Sequence, residues 1–77
     1  MSYQIIAEVE LEDANDPRAK RLSLSSTRIR EAGFDGDECI QHFDIRGDWD
    51  RREEDTLWFC ERLVKAGFFN FSIRHSY

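Results

Sequence analysis

The chain has only two cysteines, Cys39 and Cys60, too few for a disulfide framework. Proline occurs once, at Pro17, and glycine four times, so no Pro-rich or linker-like segment breaks the chain. No apolar run reaches the length of a signal-peptide core or a membrane span. The expectation is a cytoplasmic protein with free thiols and no membrane association. A Gly-rich phosphate loop and a nucleophile elbow are both missing. With only His42 and His75 as histidines, there is little material for acid–base or metal chemistry.

What is present fits one small domain spanning residues 1–77, near the lower size limit for an unaided core. Such a core supplies about 3–5 kcal/mol of net stability, and aromatic residues at 13% help to reach it. The formal charge of −5 argues against nonspecific binding of duplex nucleic acid by the whole surface. It leaves room for a local basic patch.

Asp50 to Phe68 carries the most complete helix signature. Asp48 and Asp50 are both suitable N-caps, and Glu53 falls at N3 if Asp50 is the cap. Lys65 suits the last turn, Gly67 is the left-handed terminator, and Phe68 folds back onto the helix. Leu57, Cys60 and Val64 fall at i, i+3, i+7, with Phe59, Leu63 and Ala66 widening the apolar stripe.

Strands are expected on either side. Over residues 3–12, Tyr3, Ile5, Ala7, Val9 and Leu11 alternate with Gln4, Glu8, Glu10 and Glu12. Residues 39–46 put Cys39, Phe43 and Ile45 inward and Ile40, His42, Asp44 and Arg46 outward. After Gly67, Phe69, Phe71, Ile73 and His75 alternate with Asn70, Ser72 and Arg74.

Residues 17–32 are ambiguous. Pro17 after Asp16 suits a helix start, yet the Ser-rich centre around Leu22 and Leu24 is equally compatible with a short strand. Arg28–Phe34 resembles Arg62–Phe68, and the same spacing of 34 residues pairs Asp16 with Asp50. That internal likeness favours two strand–helix units, with the first helix running from about 16 to 32.

Every strand has one apolar and one polar face, so both helices are expected on the same side of the sheet. The leading fold is α/β (α+β): a two-layer sandwich with a three-stranded sheet and two helices in β-α-β-α-β order. The alternative adds a strand at about Lys20 to Ser25, giving a four-stranded, ferredoxin-like sheet.

No residue set points to catalysis. Asp48 with Asp50, and Glu53 with Asp55, are explained by capping and solvated helix faces. Cys39 and His42 are spaced like half a metal site, with Cys60 and His75 as the conceivable remainder. Three residues apart on a strand, however, their side chains leave from opposite faces. No cofactor is expected.

Two surfaces stand out. One is acidic and aromatic: Glu8, Glu10, Glu12 and Asp13, the turn Asp35, Asp37 and Glu38, and Asp44, Asp48, Trp49 and Asp50. Within it, Glu8, Glu10, Asp44, Asp48, Trp49 and Asp50 are the candidate partner-binding residues, and an acidic strip suits a basic, nucleic-acid-binding partner. The other surface is basic: Arg18, Lys20, Arg21, Arg28 and Arg30 are five of the eleven cations. The outward strand positions carry no aromatic platform for RNA bases.

The leading expectation is a non-enzymatic protein-binding module, a small acidic inhibitor or regulator that blocks a partner's nucleic-acid site. In size and charge it resembles compact phage-encoded inhibitors, anti-CRISPR proteins included. The alternatives are a nucleic-acid-binding accessory domain using residues 18–30 and a homodimeric regulatory domain.

Overall fold

A computed structural model describes residues 3–77. In chain order it comprises β1 (Tyr3–Glu10), α1 (Pro17–Ser25), β2 (Arg30–Asp35), β3 (Ile40–Gly47), α2 (Arg52–Ala66) and β4 (Phe71–Ser76). The strands form one sheet in the order β2-β3-β1-β4, with every neighbouring pair antiparallel. This is the β-α-β-β-α-β arrangement of ferredoxin-like folds, two interleaved β-α-β halves in an α+β sandwich.

The sheet therefore has four strands where three were the leading expectation. The four-stranded alternative has the correct count but the wrong extra strand. Lys20 to Ser25 is helical, and the added strand is β2, paired with β3. The first helix stops at Ser25, because Ser26 is extended (φ −162°, ψ 140°). The Ser26 hydroxyl then accepts from the Arg28 amide at 3.1 Å, and buried Ile29 turns the chain into β2.

The likeness of residues 28–34 to 62–68 misplaced that helix end. In α2, the segment presents Leu63 and Ala66 to the core; in β2, every residue is exposed and the backbone pairs with β3. Tertiary pairing overrides the shared local pattern.

One face of the sheet carries the core. Tyr3, Ile5, Ala7, Val9 and Leu11 of the first strand and its exit are all buried, as their alternation implies. Phe43 and Ile45 join them from β3, Leu22 from α1, and Phe59, Leu63 and Ala66 from α2. The apolar stripe of α2 is thus Phe59, Leu63 and Ala66. Leu57 and Val64, expected to be inside, are 61% and 47% exposed. Cys39 is a turn residue with φ 54°, before β3 begins, so it does not point inward from a strand. Phe69 is exposed as well; its neighbour Phe68 is the buried one.

The end of α2 follows the expectation closely. Gly67 adopts φ 105°, its amide donates to the Val64 carbonyl, and the Phe68 amide donates to Leu63, each at 3.0 Å. Buried Phe68 then packs beside Leu63, closing a Schellman motif. The start differs. A short 3-10 turn, Trp49–Arg51, precedes α2, and the Asp48 carboxylate caps that turn by accepting from the Asp50 amide at 3.1 Å. No side chain caps α2 itself.

Candidate partner-binding surface

Strand register decides which acidic residues meet. Glu10 pairs with Ile40, Ile40 pairs with Asp35, and the Leu11 amide donates to the Cys39 carbonyl at 2.7 Å. The β1 exit and the β2–β3 hairpin therefore share one end of the sheet. Glu10, Glu12, Asp13, Asp35, Asp37 and Glu38 converge there, and none of them forms an ion pair among the described residues. Asp35 shapes the turn by accepting from the Asp37 amide at 3.0 Å.

Beside this acidic end lies a groove of about 560 Å³ between α1 and the β2–β3 hairpin. Leu11, Ala19, Leu24 and Phe34 give it an apolar floor, with Lys20 and Glu31 at its margin. Leu24 and Phe34 are 76% and 43% exposed, so two large apolar side chains face water, and Phe34 directly precedes Asp35 of the acidic end. Helical spacing explains Leu24: Leu22 occupies the core, and a residue two positions on must leave the opposite side of α1. Phe34 pairs with Gln41 on the helix-bearing face of the sheet.

The remaining expected partner-binding residues are dispersed. Glu8 sits on the open face of the sheet, 3.1 Å from the His42 imidazole. Asp44 is buried on that face and held by Arg30 at 3.0 Å. Asp48, Trp49 and Asp50 follow Gly47, which pairs with Tyr3 at the other end of β1 from Glu10. Seven residues of strand separate these ends, roughly 24 Å. Of the expected set, only Glu10 lies at the acidic end.

Trp49 belongs to an aromatic cluster at its own end. It meets Tyr3 edge-on at 5.4 Å and Tyr77 at 4.7 Å between ring centroids. The Arg52 guanidinium covers its ring at 4.2 Å and donates to its carbonyl at 2.8 Å. Tyr3 stacks on His75 at 5.7 Å, and its hydroxyl hydrogen-bonds to the His75 Nδ1. Burial, with Tyr77 nearby, pushes the Tyr3 phenol above its ordinary range. The cluster ties β1 and β4 to the start of α2, and a hollow of about 360 Å³ opens beside it.

The basic segment is largely committed to internal contacts. Arg18 pairs with Asp16 at 2.7 Å and covers the Phe68 ring at 4.8 Å. Arg21 donates to the Ala66 carbonyl at 2.9 Å, at the end of α2. Arg28 pairs with Asp55 at 2.9 Å, donates to the Arg46 carbonyl at 2.9 Å and covers Trp58 at 4.9 Å. With Arg30 on Asp44, only Lys20 of the five has no ion pair or hydrogen bond among the described residues.

Cys39, His42, Cys60 and His75 lie on the hairpin turn, the open sheet face, α2 and β4, and they do not form one ligand set. Burial pushes the Cys60 thiol up from its ordinary value. No helix among the described residues is long and apolar enough to cross a membrane. Comparison with family models, curated proteins and solved structures found no match to this chain.

Proposed function

We propose that the protein is a non-enzymatic binding module that docks a basic protein partner on the groove between α1 and β2. One observation carries this reading: exposed Leu24 and Phe34 line one groove, and Phe34 is followed directly by Asp35 of the acidic end. An apolar anchor on a strand that runs into a cluster of carboxylates suits a partner with an apolar knob set in a cationic surface. Partners of that charge commonly bind nucleic acid, so occupancy of their cationic surface would compete with it. That makes an inhibitor or regulator the working role.

Nucleic-acid binding through residues 18–30 is the weaker reading, because the guanidiniums there already have partners. The test immobilises the chain and identifies captured proteins, with Phe34→Ser and an Asp35→Lys/Asp37→Lys pair as controls. Capture of a basic protein that is lost with both variants and in 0.5 M salt is the expected result. Capture unaffected by either variant sinks the proposal. Retention of RNA or DNA that disappears with Arg28→Glu would favour the alternative.

A further inference from the structure

The two edges of the sheet are built differently. Edge strand β2 carries a bulge between Glu31 and Gly33 and the charged residues Arg30, Glu31 and Asp35. Bulges and charges are the usual means of keeping an edge from pairing. Edge strand β4 pairs with β1 without any register shift, and Phe71–Ser76 contains neither proline nor lysine. Among the described residues, no strand pairs with its outer side.

We infer that β4 pairs antiparallel with β4 of a second copy, on a two-fold axis through Ile73. In such a pair the residues opposite each other share a face, so the register must keep the helices of both copies on one side. Centring on Arg74 would set two guanidiniums directly opposite, which is unfavourable. Centring on Ile73 sets Ile73 against its own copy, Phe71 against His75, and Ser72 against Arg74.

Three features agree with this register. Continued past the strand ends, it brings Phe69 opposite Tyr77, residues that are 81% and 72% exposed in the single chain. Arg74 has no carboxylate partner among the described residues. In the dimer its small cross-strand neighbour is Ser72, and Ser72 in turn adjoins Glu8 on β1. Two strand spacings, roughly 10 Å, separate the Arg74 and Glu8 backbones, within reach of the two long side chains. Because the axis is two-fold, the complementary pair occurs twice.

The helix layer agrees as well. Thr56 of α2 lines a hollow with His75 and Tyr77, so that side of α2 faces the β4 edge. At about 100° per residue, Cys60, Val64 and Leu57 lie about 100–160° from Phe59 on the same side as Thr56. This stripe of α2, exposed at Leu57 and Val64 and half-buried at Cys60, is thus turned toward the β4 edge and the second copy. This dimer uses the edge opposite the α1–β2 groove and stands independently of the partner proposed there.

The test measures the mass of the full chain by light scattering, then cross-linking in a Cys39→Ser/Cys60→Ser background. A mass near twice 9.2 kDa is expected. Ile73→Cys should form an intermolecular disulfide on mild oxidation, at least tenfold faster than Arg74→Cys. Glu8→Arg should weaken association, and adding Arg74→Glu should restore it, with circular dichroism confirming that each variant folds. A mass of 9.2 kDa at high micromolar concentration overturns the inference. A dimer in which Arg74→Cys cross-links faster overturns it too.

Discussion

The Arg18 guanidinium is held between the Asp16 carboxylate, at 2.7 Å, and the face of the Phe68 ring, at 4.8 Å. It thereby joins the start of α1 to the residue that closes α2. Asp16 is the more connected partner. Its buried carboxylate caps α1 by accepting from the Arg18 amide and also accepts from the Glu12 amide, each at 3.0 Å.

Asp16→Ala should therefore cost about 1–3 kcal/mol, more than an exposed cap, since two part-buried amide donors lose their acceptor. A thermal or urea melt measures it. A loss under 0.5 kcal/mol would show that the loop does not depend on Asp16.

The same carboxylate predicts a pH dependence. Hydrogen bonding from Arg18, above all, holds its pKa well below the ordinary 3.8, against the opposing effect of burial. A depressed folded-state pKa gives stability that is present above pH 3.8 and lost as pH falls further. Stability should decline between pH 4 and 2, and Asp16→Asn should flatten that limb. Equal slopes for the two proteins would contradict the assignment.

Within α2, Leu63→Ala should destabilise by about 2–5 kcal/mol, while Leu57→Ala should fall within about 0.5 kcal/mol of the parent. Chemical denaturation of the two variants separates them. Comparable losses at both positions would mean that the helix is rotated about its axis.

How far that stripe was legible shows where sequence reasoning stops. Alternation in residues 3–11 and the Gly67 terminator specified β1 and the end of α2, because strand pleat and positive φ act locally. On α2, Leu57, Cys60 and Val64 form as regular a series as Phe59, Leu63 and Ala66. Periodicity alone does not tell which stripe meets the sheet. Strand β2 was hidden for a different reason: it buries nothing, so no pattern marks it. The Leu24–Phe34 groove was hidden with it, because β2 is one of its walls. The acidic residues were visible, but only strand register shows that Glu10 and Asp35 share one end of the sheet while Asp48 lies at the other.

Arg28 combines a pair to Asp55, a bond to the Arg46 carbonyl and a stack on Trp58. Arg28→Lys keeps the charge but neither the fork nor the planar stack, and it should lose most of the ~1–2 kcal/mol expected for Arg28→Ala. Full retention of stability by the lysine variant would assign the contribution to charge alone.

Gly67→Ala places a Cβ 3.3 Å from the Arg18 side chain while keeping φ at 105°. It should cost about 1–2 kcal/mol, read as a lowered melting temperature. A neutral result would mean that the end of α2 relaxes without the left-handed turn.

The place of β1 in the sheet bears on how the chain acquires its structure. It lies between β3 and β4, so Tyr3 must find Gly47, 44 residues away, and Val9 must find Phe71, 62 residues away. Neither partner is a sequence neighbour, and each encounter closes a long loop before any contact repays it. Folding should be a single slow, concerted event. Until β3 and β4 have emerged from the ribosome, β1 and its apolar face remain unpaired, and that nascent segment is where a chaperone would be most needed.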